Sequence, residues 1–150
     1  MSQLFFTKAA AQRILSFARH IEAIRVFKGA VQVTYRTKNG RCSTFLSKTA
    51  FYNDFLTFRQ QGAKQCTVKR WPAGSYENHY EVKSDSEKTY TVKLLAGLAL
   101  CSCPDDEKQH WELGNKAKIG CKHILATLNS LGHDSLADYM NAMKAKACIA

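Results

Sequence analysis

The chain has 150 residues, 45% of them hydrophobic, and a formal charge of +10. That length suits one domain, or a small module joined to a second, with enough apolar residues for a packed core. No apolar run reaches membrane-spanning length, so no membrane partner is expected, and two prolines without a Ser/Gly tract leave no low-complexity linker.

The charge is uneven. Residues 1–75 hold thirteen Lys and Arg against Glu22 and Asp54, a net of +11, whereas residues 76–150 hold nine Lys against ten acids, a net of −1. All seven arginines lie in the first half. Arginine's planar fork matches phosphate better than a lysine point charge does, so a polyanionic partner is predicted, nucleic acid and DNA first. The expected division is a basic α/β unit over 1–75 and a cysteine-bearing region over 76–150, with one compact domain as the alternative.

Thr7 to Phe27 reads as an amphipathic helix. Ala10, Ile14, Phe17, Ile21 and Ile24 fall on one side, and Lys8, Gln12, Ser16 and Arg19 on the other. Its basic, hydroxyl-bearing stretch before Glu22 also resembles an organelle presequence. An intracellular location, cytoplasm, nucleoid or nucleus, is the first expectation and organelle import the second. Val31 to Leu46 reads as a β-hairpin with Asn39-Gly40 at its tip. That turn would set Lys38 opposite Arg41 and Arg36 opposite Ser43. Val31, Val33, Tyr35, Thr44 and Leu46 would face inward. Arg36, Lys38 and Arg41 would crowd the outer face, where an anionic partner would relieve their repulsion.

Thr49 to Gln60 reads as a second helix, whose Phe51, Tyr52, Phe55, Leu56 and Phe58 are read as core rather than as a base-stacking platform. Gln65 to Trp71 reads as a strand. Its Lys69-Arg70-Trp71 end sets charge beside an aromatic ring and makes Lys69 and Arg70 further candidate nucleic-acid contacts. Glu77 to Lys83 and Lys88 to Leu95 read as a hairpin through Ser84–Glu87. Ala96-Gly97 then turns the chain, and Leu98 to Cys101 returns. With that two-residue loop Leu95 faces Leu98 and Val92 faces Cys101. After the cysteines, Ile124, Leu125, Leu128 and Leu131 have core-facing helical spacing, Gly132 ends that helix, and Asp134 to Lys146 reads as a last one.

The chemistry is concentrated in Cys101-Ser102-Cys103-Pro104 and Cys121-Lys122-His123: C-x-C, seventeen residues, C-x-H. Two close pairs of N/S ligands suit a tetrahedral zinc site. In a strand, residues i and i+2 share a side, so Cys101 and Cys103 can turn both sulfurs to one ion. Pro104 ends that strand. In a helix, residues two apart point about 200° from each other. Cys121 is therefore expected before a helix and His123 in its first turn, with Gly120 allowing the bend. Competing readings are ordinary buried thiols and disulfides, or replacement of one ligand by His110. That residue lies in what reads as a polar loop, Asp105 to Gly120, with Asp105, Asp106, Glu107 and Glu112. A C-x-C bridge is sterically poor, and no secretory signal opens the chain, which argues against disulfides. Cys42, Cys66 and Cys148 read as reduced thiols.

Tyr90-x-Val92, Gly97, Cys101-Ser102-Cys103-Pro104 and Cys121-Lys122-His123-Ile124-Leu125-Ala126 together resemble a SWIM zinc finger, over roughly residues 88–132. The resemblance implies a β-hairpin, one structural zinc held by Cys101, Cys103, Cys121 and His123, and a following helix. SWIM fingers occur in chromatin remodellers, transposases, ubiquitin-pathway proteins and partners of recombinase paralogues. The resemblance therefore implies DNA binding, or protein–protein contact as an adaptor, rather than catalysis. Four protein ligands would leave no open position on the metal, and no deaminase signature, serine elbow or P-loop occurs. Neither an enzyme nor a small-molecule substrate is expected. The fold expected is α+β, in the order α-β-β-α-β-β-β-β-zinc loop-α-α.

Overall fold

The computed structural model describes residues 4–74 and 77–149. The fold is α+β, with two antiparallel sheets. The chain divides into two compact units, Met1–Phe58 and Arg59–Ala150. The division falls inside helix α2 (Lys48–Ala63). Among the described residues no helix is long and apolar enough to cross a membrane.

The first unit contains α1 (Lys8–Ile14), a sheet in the order β1 (His20–Val26), β2 (Val31–Thr37), β3 (Gly40–Leu46), and the start of α2. Thr7 caps α1, its Oγ1 accepting the Ala10 N–H at 3.1 Å. Val31, Val33 and Phe51 are fully buried, with Phe5, Phe6, Ala11, Ile21 and Phe55 around them. Phe5 and Phe55 meet edge to face at 4.7 Å, as do Phe6 and Phe51 at 5.4 Å. Tyr52, Leu56 and Phe58 lie partly exposed, so only two of the five apolar residues read as core in α2 fill that role completely.

Two expectations are corrected here. The single helix over Thr7–Phe27 stops at Ile14, and its second half is strand β1. The pairing of β1 with β2 is shifted between Ile21 and Ala23 by a bulge. Ile21 then lies opposite Tyr35, and Ile24 opposite Val33. A three-residue spacing, which on its own reads as one helical face, thus becomes one face of a bulged strand. The hairpin also closes one residue earlier than the Asn39-Gly40 signal indicates. Thr37 pairs with Gly40 and Arg36 with Arg41, leaving Lys38-Asn39 as the tip. Gly40 takes the glycine-favoured φ of +117° as the first residue of β3, while Asn39 N–H is held by Thr37 Oγ1 at 3.1 Å.

The second unit is a four-stranded meander, β4 (Thr67–Arg70), β5 (His79–Lys83), β6 (Thr89–Leu95) and β7 (Leu98–Cys101), with α3 (Pro104–Ala117), α4 (Lys122–Ser130) and α5 (Leu136–Ile149). The register of β6 and β7 is the one expected, Leu95 opposite Leu98 and Val92 opposite Cys101. Val82, Val92, Cys121, Ile124, Leu125 and Leu128 are fully buried, so the metal-ligand region is continuous with the core. Leu131 caps α4 and is largely exposed, not core. The Asp105–Gly120 stretch is also corrected: most of it is α3, broken at Gly114 where φ is +67°. Pro104 stands at the helix start and Asp105, Asp106 and Glu107 fill the first turn, each favourable at a helix N-terminus. The expectation that Pro104 ends the strand is corrected with it: β7 stops at Cys101, Cys103 is already the helix cap, and the proline starts a helix.

Candidate metal centre

Cys101 ends β7 and Cys103 is the N-cap of α3, so the C-x-C pair spans a strand-to-helix corner. Cys121 is the N-cap of α4, its Sγ 3.5 Å from the Ile124 N–H, and His123 is the second residue of that helix. Gly120 has φ +94°, the conformation that lets the chain bend into the cap. Both cysteine caps thus lie at helix N-termini, where the dipole favours thiolate.

One ligand atom from each of Cys101, Cys103, Cys121 and His123 lies within 4.8 Å of the others. Cys103, Cys121 and His123 are buried and Cys101 is half-buried. Cys101 Sγ is 3.8 Å from His123 Nδ1. Two ligands on a tetrahedral zinc, with bonds of ~2.3 and ~2.0 Å, sit roughly 3.6 Å apart. Nε2 of His123 is buried without a hydrogen-bond partner, and the imidazole packs on Tyr90 with ring centroids 4.6 Å apart. An ordinary buried histidine would bond both nitrogens.

The electrostatics also call for a cation. The hydrogen bond to Cys103 is the main cause that pushes the Cys101 thiol up to about 12. Burial pushes Cys121 well above the usual thiol range. Hydrogen bonds from Cys101 and Cys121 hold Cys103 far below it. Packed together, the three sulfurs resist ionising all at once. A divalent metal removes that resistance, because thiolate is the form that ligates. The donor set therefore fits one structural zinc, held by Cys101, Cys103, Cys121 and His123. His110 lies apart from it, exposed and 2.8 Å from Asn115 Oδ1.

Helix α3 braces both ligand pairs. Asp106 Oδ2 accepts the Cys101 N–H at 2.8 Å, and one turn on Gln109 Oε1 accepts the N–H of Gly120 at 3.0 Å and of Ile119 at 3.2 Å. Asp106 also forms an ion pair with Lys118 at 2.8 Å, the two side chains 4% and 1% exposed. Lys118 Nζ donates to Ala99 O at 2.6 Å. Burial raises the Asp106 pKa, against the lowering effect of Lys118. Arg59 fixes the start of α3 through a two-pronged contact with Asp105, at 3.0 and 2.6 Å. Sequence reasoning placed Asp106 among solvated loop acids and did not single out Gln109 or Lys118. The available signal was the i, i+3 spacing of Asp106 and Gln109 behind Pro104, which sets them on one helical face.

The predicted nucleic-acid contacts are distributed over both units. Arg36 and Arg41 lie opposite each other on β2 and β3, and Lys38 is exposed at the tip between those strands. Their repulsion is met from within the chain. Glu22, the residue at the β1 bulge, sits 2.5 Å from Arg36 Nε and 2.8 Å from Arg41 Nε. Lys69 and Arg70 are exposed on β4 in the other unit, with Lys69 opposite Glu81. Trp71 lies beside His79, ring centroids 5.5 Å apart.

Residues 90–132 match the family model of the SWIM zinc finger, which places all four ligands inside the matched segment. No curated protein and no solved structure matches the chain.

Proposed function

With residues 90–132 a SWIM zinc finger, we propose that the chain binds nucleic acid, DNA first, through its arginine-rich first unit, the finger being a structural element. The observation that carries this reading is the charge of that unit. Residues 1–58 hold nine Lys and Arg against two acids, a net of +7. Both acids are already engaged, Asp54 by Arg13 at 2.6 Å and Glu22 by Arg36 and Arg41. A field of that sign attracts a phosphate backbone and gives binding that weakens steeply with salt. The metal has a purely structural part in this reading: four protein ligands leave no open coordination position. The test is zinc content per chain, followed by titration of labelled duplex and single-stranded DNA at low and moderate salt. One zinc with salt-sensitive binding is the expected outcome. One zinc without binding at low salt would refute the reading.

A second reading is a protein-docking adaptor that uses the finger surface. It is favoured by Trp111 on α3, which is 79% exposed. Salt-insensitive binding to a protein, lost on Trp111→Ala, would select it.

A further inference from the structure

Ile21, Val31 and Val33 are buried on one face of the first unit's sheet, and the register shows what the other face carries. Three cross-strand rows stand side by side there. The middle row is Ala23, Thr34 and Ser43, all small. On one side is Arg25, Gln32 and Phe45. On the other are Arg36 and Arg41, with the Glu22 carboxylate between them. Small side chains between long ones make a shallow trough of about 390 Å³, lined by Ala23, Arg25, Gln32, Thr34, Arg41 and Ser43 among others. Rows two residues apart along a strand are separated by about 6.7 Å, so the flanking rows stand roughly 13 Å apart.

Each wall has a distinct chemistry. Glu22 contacts the Nε of both Arg36 and Arg41, whose side chains remain 65% and 67% exposed. Among the described residues no acid pairs with Arg25. Phe45 is 62% exposed and Phe27 48%, the two rings 6.0 Å apart beside the Arg25 wall. A planar base can stack on them, and only an unstacked strand offers the face of a base.

We infer that the uncovered face of β1–β3 is a seat for a single strand of nucleic acid. The sugar–phosphate backbone follows the trough over Ala23, Thr34 and Ser43. Arg25, Arg36 and Arg41 meet phosphates from its two walls, and a base stacks on Phe45. The inference rests on the nucleic-acid reading above and narrows it to one surface and to unpaired strands.

The test uses the zinc-loaded full chain and fluorescence anisotropy with labelled oligo(dT), oligo(rU), a blunt DNA duplex and, as a plain polyanion, polyglutamate. The expected order is single strands over duplex, with polyglutamate weakest, and the two homopolymers separate DNA from RNA as the source. Phe45→Ala removes an exposed ring, so the fold is retained, checked by circular dichroism. It should weaken single-strand binding by about 5- to 160-fold, the loss expected for one stacked base, and leave duplex binding nearly unchanged. Arg25→Gln should lower the slope of log K against log salt by about 0.7, the loss of one single-strand phosphate contact. Single-strand binding that ignores both substitutions overturns the inference and leaves the nucleic-acid reading standing. Duplex preference, or polyglutamate bound as tightly as oligo(dT), also overturns it. Absence of any nucleic-acid binding at low salt overturns both.

Discussion

Lys118→Met isolates the brace behind the metal ligands. The substitution keeps the volume of the buried stem but strips Asp106 of its ion-pair partner at 2.8 Å and Ala99 O of its donor at 2.6 Å. An unpaired buried charge of this kind destabilises by about 3–5 kcal/mol. Asp106 has an escape, since it can take up a proton. At pH 7 the cost of holding an aspartic acid neutral is about 1.4 kcal/mol for each of the ~3 units between its unfolded pKa of ~3.9 and 7, or about 4 kcal/mol. Proton uptake therefore caps the loss, and the expected value at pH 7 is 3–4 kcal/mol, about 6–16 °C in Tm at this chain length. The sign follows from linkage. In the variant the folded-state pKa of Asp106 is raised further by burial without its cation, so stability is retained near pH 4 and lost as pH rises. By pH 5 the cap has fallen to about 1.5 kcal/mol. The assay is urea unfolding of parent and variant at several pH values with saturating zinc, comparing the difference at each pH so that shared metal effects cancel. Lys118→Met with Asp106→Asn should recover more than half of the loss, because an amide oxygen can still accept the Cys101 N–H without a charge to bury. A loss under about 1 kcal/mol at pH 7, the same at pH 5, would refute the argument.

Other outcomes follow from the same structure. Cys121→Ser should release zinc and unfold the chain from about Leu98 onward while the β2–β3 hairpin keeps its amide protection, read by metal analysis and hydrogen exchange. Gln109→Ala leaves the Gly120 and Ile119 N–H groups without their acceptor and should cost about 1–3 kcal/mol in urea unfolding, with weaker zinc affinity. Gly120→Ala should cost about 1–3 kcal/mol, because φ is +94° and the added Cβ would lie 3.3 Å from Ile124 Cγ2; calorimetry reads the drop in Tm. The hydrogen bond from Arg36 is the main cause that holds the Glu22 carboxyl below its usual range. Its stabilising effect is therefore present above the unfolded pKa of ~4.3 and lost as pH falls through the lower folded value. Carboxyl NMR titration should show the depressed midpoint. Glu22→Gln should abolish that pH response and, with one negative charge gone between Arg36 and Arg41, tighten nucleic-acid binding at low salt.

The metal ligands could be read from the chain because ligand spacing is a local property. Two residues into a helix do not share a side, so Cys121 could be assigned to a helix cap and His123 to its first turn without tertiary information. The pairing of Cys101 with Cys103 was legible too, but not its backbone, since the strand ends at Cys101 and Cys103 caps α3. The register of β6 and β7 was local in the same way, since a two-residue turn leaves one pairing open to it. The braces on those ligands were not local. Whether Asp106 is a solvated acid or the buried acceptor of the Cys101 N–H depends on which face of α3 packs inward, and that is decided by Lys118 and Ala99 arriving from elsewhere in the unit. Residues 20–26 carry a spacing compatible with helix or bulged strand, and only pairing with Val31–Thr37 selected the strand. That same bulge put Glu22 between Arg36 and Arg41. Composition and ligand spacing thus determined the class of fold, the metal site and the basic character of the first half. Tertiary structure decided which charges are free to meet a partner, because charge pairing depends on register, and register is a contest between distant segments for the same backbone hydrogen bonds.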